Sequence, residues 1–292
     1  MASFLQLLFS GLQIGSVYAL AALGIAIIYR TSRATNFAQG TIGMFNAFIS
    51  TIALINFDLP PWLAAIIGML SAFVVGVTVD LVIIRNAKKS SIVSKQIITF
   101  GIIMIFLGAA PMLFGVVPMQ FPQFIGQGQI TLVGTNISFN TILNIAIGLI
   151  TSIGLFLFLQ YTKWGLAVRV TASNENTARL MGVPTSLVTM GAWAVAAALG
   201  TLSALMFAPI AMSVNVSMME NVQIFALMAG VLGGFQTFYG PVIASYIIGI
   251  SRNMLQFYFS SIWGEPLLFL LILLFIVLRP NGLIGKKIVK KV

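Results

Sequence analysis

The stretch ILNIAIGLITSIGLFLFL at residues 142–159 is apolar on both parities of a strand and on nearly every face of a helix. A membrane-barrel strand would instead alternate apolar and polar positions over about ten residues, so this run is helical. IIGMLSAFVVGV at 66–77 has the same character. Working outward from these runs, charge is absent from residues 1–29, 34–57, 96–162 and 180–219. About 20 apolar residues in a helix cross the bilayer core, and each interval is long enough to hold at least one such helix. A backbone in lipid must satisfy its own hydrogen bonds, which makes the expected fold an all-α, polytopic transmembrane helical bundle.

Composition agrees. Of 292 residues, 59% are hydrophobic and 7% charged, with a mean hydropathy of +1.07, against about 25% charge in soluble domains. The opening segment to Tyr29 lacks a basic leader and its apolar run outlasts that of a signal peptide, so it reads as the first span. The absence of cysteine rules out disulfides and thiol chemistry, and the absence of histidine removes the commonest metal ligand and neutral-pH acid or base. The carboxylates are scattered. Asp58, Glu175 and Glu265 fall in loops or at span ends, and only Asp80 and Glu220 approach a span. Asp80 lies about one turn before Arg85, so an end-of-helix carboxylate beside cations competes with an intramembrane role. No metal site, cofactor site or nucleophile–base pair can be assembled from this set, which argues against an enzyme. Fifteen Lys+Arg stand against five Asp+Glu, but the cations lie between apolar segments and form no stripe, so they point to membrane lipid and not to nucleic acid.

Breaks at charges and at Pro, Gly and Asn clusters place spans near 4–29, 36–56, 61–84, 97–117, 139–160 and 187–209. Arg30 and Arg33 follow the first, Arg85, Lys88, Lys89 and Lys95 the third, Lys163, Arg169 and Arg179 the fifth, and four lysines close the chain. The opposite connections carry Asp58, the uncharged FPQFIGQGQITLVGTN (121–136) or Glu220. This asymmetry predicts basic loops and a C-terminus in the cytoplasm and an N-terminus outside a cell membrane, inner or plasma. Beyond Glu220 the apolar segments are short and broken by Gly and Pro. They suggest broken or re-entrant helices in the C-terminal third, or a small-residue packing region, and bring the expectation to about eight or nine spans. The whole chain, 1–292, reads as one transmembrane domain with a cytoplasmic loop at 161–186 inside it.

No GxxxxGK[ST] loop is present, since GLIGKK at 282–287 has the wrong spacing, so an ATP-driven role would need a separate ATPase. The 161–186 loop is the one cytoplasmic connection long enough to give such a partner a folded handle. In KWGLAVRVTASNENTARLMGVP (163–184), Ser173 or Asn174 can cap a short helix, with Glu175 in its first turn, Arg179 towards its end and Gly182–Pro184 as its stop. Such a helix could equally lie on the membrane surface.

Six segments, in order, resemble the permeases of branched-chain amino acid (LIV-type) ABC importers: Gly11–Arg30, Asn36–Gly40, Lys163–Val183, Ala192–Leu205, Val231–Ser245 and Leu278–Gly285. The resemblance implies a helical permease that pairs with a second homologous permease subunit, with cytoplasmic ATP-binding subunits and with an extracytoplasmic substrate-binding protein. It further implies that Glu175, Asn176, Ala178, Arg179, Leu180, Met181 and Gly182 form a coupling helix docked on the ATPase. Ala178 and Gly182 would permit close approach, and Leu180 and Met181 would make apolar contacts. Two departures are visible: Gln39 stands where the family usually has histidine, and Asn46-Ala47-Phe48 replaces Gly-Ala-Tyr. Urea and short-chain amide importers share much of the pattern.

The uncharged polar residues Asn36, Gln39, Asn46, Gln223 and Gln236 suit a pathway for a zwitterion or neutral polar solute. Each also suits interhelical hydrogen bonding. An ATP-independent solute channel is the competing function, and it would transport without partners.

Overall fold

The structure, a computed structural model, describes residues 2–87, 90–126, 128–132, 134–280 and 282–284. Lys88, Lys89, Gln127 and the lysines at 286, 287, 290 and 291, which entered the charge asymmetry or its loops, lie outside the described residues. The order of elements is α1 (Ala2–Ser32), α2 (Gln39–Phe57), α3 (Pro61–Val79) extended by a π-helical turn Asp80–Ile84, α4 (Ile92–Phe114), β1 (Gln129–Leu132), β2 (Thr135–Ser138), α5 (Phe139–Tyr161), α6 (Lys163–Ser173), α7 (Glu175–Leu180), α8 (Thr185–Ala211), α9 (Glu220–Gly233), α10 (Tyr239–Tyr258) and α11 (Gly264–Leu278). Six helices among the described residues are long and apolar enough to cross a membrane: α1, α2, α3 with its π-helical turn, α4, α5 and α8.

Local signals account for the boundaries. Asp58 adopts φ 48° and ends α2, Pro61 opens α3 at its first turn, and Gly115 at φ 84° ends α4. Side chains of Ser91 and Ser138 cap α4 and α5. α9 and α11, at 14 and 15 residues, reach only about 21–23 Å at 1.5 Å per residue, short of the roughly 30 Å core. α10, at 20 residues, is long enough but carries Arg252.

α1 is the axis of the bundle. Every residue from 15 to 28 is buried, and α1 packs against α5, α8, α9 and α10. Small residues make this possible: a Cβ added to Gly249 of α10 would lie 2.5 Å from the Gly11 carbonyl oxygen and 2.7 Å from the Gly15 nitrogen. The backbones of α1 and α10 therefore touch, as small-residue membrane interfaces allow. α2 and α3 approach α8 in the same way, through Gly43 against Gly200 and Gly76 against Trp193. The buried share of the most apolar window is 83% in α1 but 28, 17 and 22% in α3, α4 and α5, which wrap the outside.

Arg252 joins four helices. It donates to the Tyr18 hydroxyl at 3.1 Å and to the Glu265 carboxylate at 3.0 Å, and its guanidinium lies 5.0 Å from the Phe225 ring centroid. The charge is thus neutralised within the bundle by a partner beyond the next turn. Asp80 lies 4.0 Å from Arg85, consistent with the end-of-helix reading.

Two features differ from the sequence expectation. β1 and β2 form an antiparallel hairpin, with Ile130 opposite Ile137, so a small sheet accompanies the helices of the expected all-α bundle. The Asn140 amide holds the loop before it, donating to Gln123 Oε1 and to the Ile125 carbonyl, each at 2.7 Å. The 161–186 loop contains two helices, α6 and α7, in place of one. Thr162 caps α6 locally through the Gly165 amide, and that start was masked in the sequence by the apolar run continuing through KWGLAV.

Candidate functional site

Two sets of residues carry the functional interest. The first is the α6–α7 loop. Asn174, of the two residues able to cap, accepts from the amides of Asn176 at 3.0 Å and Thr177 at 3.1 Å and so starts α7. Glu175 pairs with Arg179, whose Nε donates to the Thr185 hydroxyl at 2.9 Å, tying α7 to the first residue of α8. Arg33, just past α1, donates to the carbonyls of Ala172 at 3.2 Å and Ser173 at 2.9 Å, the exposed negative end of α6. The loop is therefore anchored to both α1 and α8.

Its side chains divide sharply. Leu180 is 89% exposed and Met181 73%, an apolar pair presented to the outside, whereas Ala178 is fully buried by the chain itself. Ala178 thus packs inward and is not part of the presented surface. Gly182 has φ 80°, and a Cβ there would meet nothing within 4 Å. Within this chain its role is to let the helix end in the left-handed region, where a larger residue is strained. Asn176 lines a polar cavity of about 370 Å³ with Arg33, Lys95 and Glu175, between α7, the end of α1 and the start of α4.

The second set lies where α2 begins. Asn36 donates to Gln39 Oε1 at 3.3 Å, Gln39 donates to the Ala196 carbonyl of α8 at 2.6 Å, and Gln223 of α9 accepts from the Gly40 amide at 2.5 Å. Three of the five pathway candidates thus form one network across α2, α8 and α9. Gln39 is fully buried, in space left by Gly24 and Gly200. Asn46 lies farther along α2, donating to the Ile42 carbonyl and accepting from Ser71, each at 2.8 Å. Gln236 is elsewhere, in a cavity with Arg30 and Arg169. Among the described residues no group of three or more His, Cys, Asp or Glu is placed to hold a metal.

Gln39→Leu is expected to lower stability by about 2 kcal/mol, because it leaves the buried Asn36 amide without its acceptor and removes the side-chain donor that ties α2 to the Ala196 carbonyl of α8. Thermal denaturation of the detergent-solubilised chain checks this, and an unchanged midpoint would show that the tie carries no weight.

The sequence matches the family described as branched-chain amino acid transport system / permease component over residues 7–278. The chain belongs to that family. This permease is 26% identical to the high-affinity branched-chain amino acid transport system permease protein LivH of Escherichia coli (strain K12), covering 99% of this chain and 98% of the relative. It is 27% identical to BraD of Pseudomonas aeruginosa, a high-affinity branched-chain amino acid transport system permease protein, with the same coverage. The probable branched-chain amino acid transport permease protein LivH of Methanocaldococcus jannaschii is 25% identical over 91% of this chain and 88% of its own. No solved structure is a significant match.

In this permease, sequence reasoning used Arg33 only as a topology signal, saw Tyr18 only as a polar residue within a span, and passed over Arg252. Arg252 could have been found as the lone charge between Glu220 and Glu265, since a charge inside an apolar segment needs a partner. Arg33 had no comparable signal, because its part in holding α6 depends on contacts about 140 residues away in sequence.

Proposed function

We propose that this permease forms half of the membrane pathway of an ATP-driven importer for branched-chain or related amino acids. It pairs with a second homologous permease subunit, docks cytoplasmic ATP-binding subunits through Leu180 and Met181 at the end of α7, and receives solute from an extracytoplasmic binding protein. The observation that carries the coupling role is this exposed apolar pair on a short capped helix fixed to α1 and α8. The family match over residues 7–278 supports an amino-acid pathway, and the uncharged Asn36, Gln39 and Gln223, bonded to one another and to α8, are the polar groups proposed to border it. The chain acts as one transmembrane domain, in which α9, α10 and α11 add three crossings to the six long spans, giving about nine. The short α9 and α11 are the broken segments beside the pathway.

The test is uptake by vesicles holding this permease, its paralogue, the ATPase subunits and the binding protein. Leucine uptake is expected to require ATP and every subunit, and uptake by this chain alone without ATP would instead establish a channel. Gln39 and Asn46 depart from the branched-chain pattern, and urea and short-chain amide importers share much of the rest, so those solutes are the second reading, which their uptake in place of leucine would select.

Orientation follows from the basic loops. A cysteine placed at Ser173 should react with an impermeant maleimide only from the cytoplasmic side, and one at Asp58 only from outside, with no native cysteine to remove. The reverse pattern would invert the topology and detach α7 from any cytoplasmic partner.

A further inference from the structure

Arg30 and Arg169 line a cavity of about 140 Å³ between the end of α1, α5, α6 and the α9–α10 turn, together with Gln236 and Tyr239. The Arg30 guanidinium sits 4.3 Å above the Phe238 ring centroid. Arg169 donates to Gln160 Oε1 at 2.9 Å and to its carbonyl at 3.1 Å, while its Nε is buried without a partner. Neither arginine forms an ion pair with a carboxylate among the described residues. Two like charges sharing so small a space at the end of a span favour an anion between them.

Phe156, Phe238 and Tyr239 line this cavity and also a second one of about 270 Å³, a groove between α5 and α10 completed by Leu149, Ile153 and Ile243. The groove is almost wholly apolar and its rim residues Leu149, Ile153 and Ile243 are exposed on the outside of the bundle. The charged cavity and the apolar groove thus border each other at three shared aromatic residues. We propose that the pair forms a binding site for an anionic phospholipid, with the phosphate between Arg30 and Arg169 and one acyl chain along the α5–α10 groove. Free phosphate would use the arginines and leave the groove unexplained. A lipid uses both, and basic pockets between membrane helices recognise such headgroups. Gln236 and Tyr239 supply hydrogen bonds to the headgroup.

The experiment is native mass spectrometry of the full-length chain, offered phosphatidylglycerol and phosphatidylcholine in equal amounts. Phosphatidylglycerol should be retained about tenfold better, in line with two basic contacts. Excess inorganic phosphate should not displace it. Arg30→Gln with Arg169→Gln should abolish the preference, and Ile243→Trp should weaken retention of the long-chain lipid while sparing a short-chain analogue. Equal retention of the two lipids, displacement by phosphate, or an undiminished preference in the double variant would each overturn the site. Should the double variant fail to fold, Arg169→Gln alone decides: an unchanged preference overturns the site, and a clear loss supports it.

Discussion

Uptake by a permease carrying Leu180→Asp and Met181→Asp together is expected to fall to background, and the ATPase subunits to be lost on co-purification. Both side chains already face outward, so the change leaves the chain's own packing nearly untouched. At a docked surface each large apolar side chain contributes about 1.5–3 kcal/mol, and the variant also asks a partner to bury two carboxylates. The combined loss, on the order of 3–6 kcal/mol, corresponds to a hundredfold or more in affinity. Gly182→Ala should act more mildly, by about 1 kcal/mol, because it strains the φ 80° stop without altering the apolar pair. Normal uptake and normal ATPase recovery by the double variant would remove α7 from the coupling path.

Gly249→Leu is expected to prevent the full-length permease from accumulating in the membrane. Its Cβ would meet the Gly11 carbonyl oxygen at 2.5 Å and the Gly15 backbone at 2.7–2.8 Å, and no flexible side chain is there to yield. α10 would have to move off α1, loosening the Tyr18–Arg252–Glu265 connection as well. Gly249→Ala, with the same Cβ and nothing beyond it, should be recoverable but destabilised by about 2 kcal/mol, as overpacking generally is. Wild-type yield and melting temperature for both variants would show that the α1–α10 approach is not a rigid requirement.

The spans were legible because lipid imposes one test that a sequence states openly, a charge-free apolar run of sufficient length. The run ending at Tyr29 and those at 61–84 and 139–160 match α1, α3 with its π-helical turn and α5 within a few residues. The α7 cap was legible too, since Asn174 acts through the adjacent backbone amides and Glu175 pairs with Arg179 one turn on. Which span lies at the centre was not legible. α1 and α4 are both apolar on every face, because a helix touching lipid and a helix touching other helices need similar hydropathy. The glycines that mark α1 as the axis gain meaning only beside Gly249, more than 230 residues later. Gln223 meets Asn36 for a comparable reason, through long-range packing, whereas Gln236 follows the α9–α10 turn to the arginine cavity. Composition gives these two glutamines the same promise, and only the turn between them separates their surroundings.

The central position of α1 sets the order in which the molecule can be completed during synthesis. α1 leaves the ribosome before the other described helices, yet α8, α9 and α10, which enclose it, end at residues 211, 233 and 258. At a translation rate of about 5–20 residues per second, α1 waits roughly 10 to 50 s in the bilayer before α10 arrives. Throughout that interval the face bearing Gly11 and Gly15 is covered only by lipid or by insertion machinery. A chain truncated before α10 would be fully inserted and still unfinished, displaying the small-residue stripe by which membrane quality control could distinguish it from the complete protein.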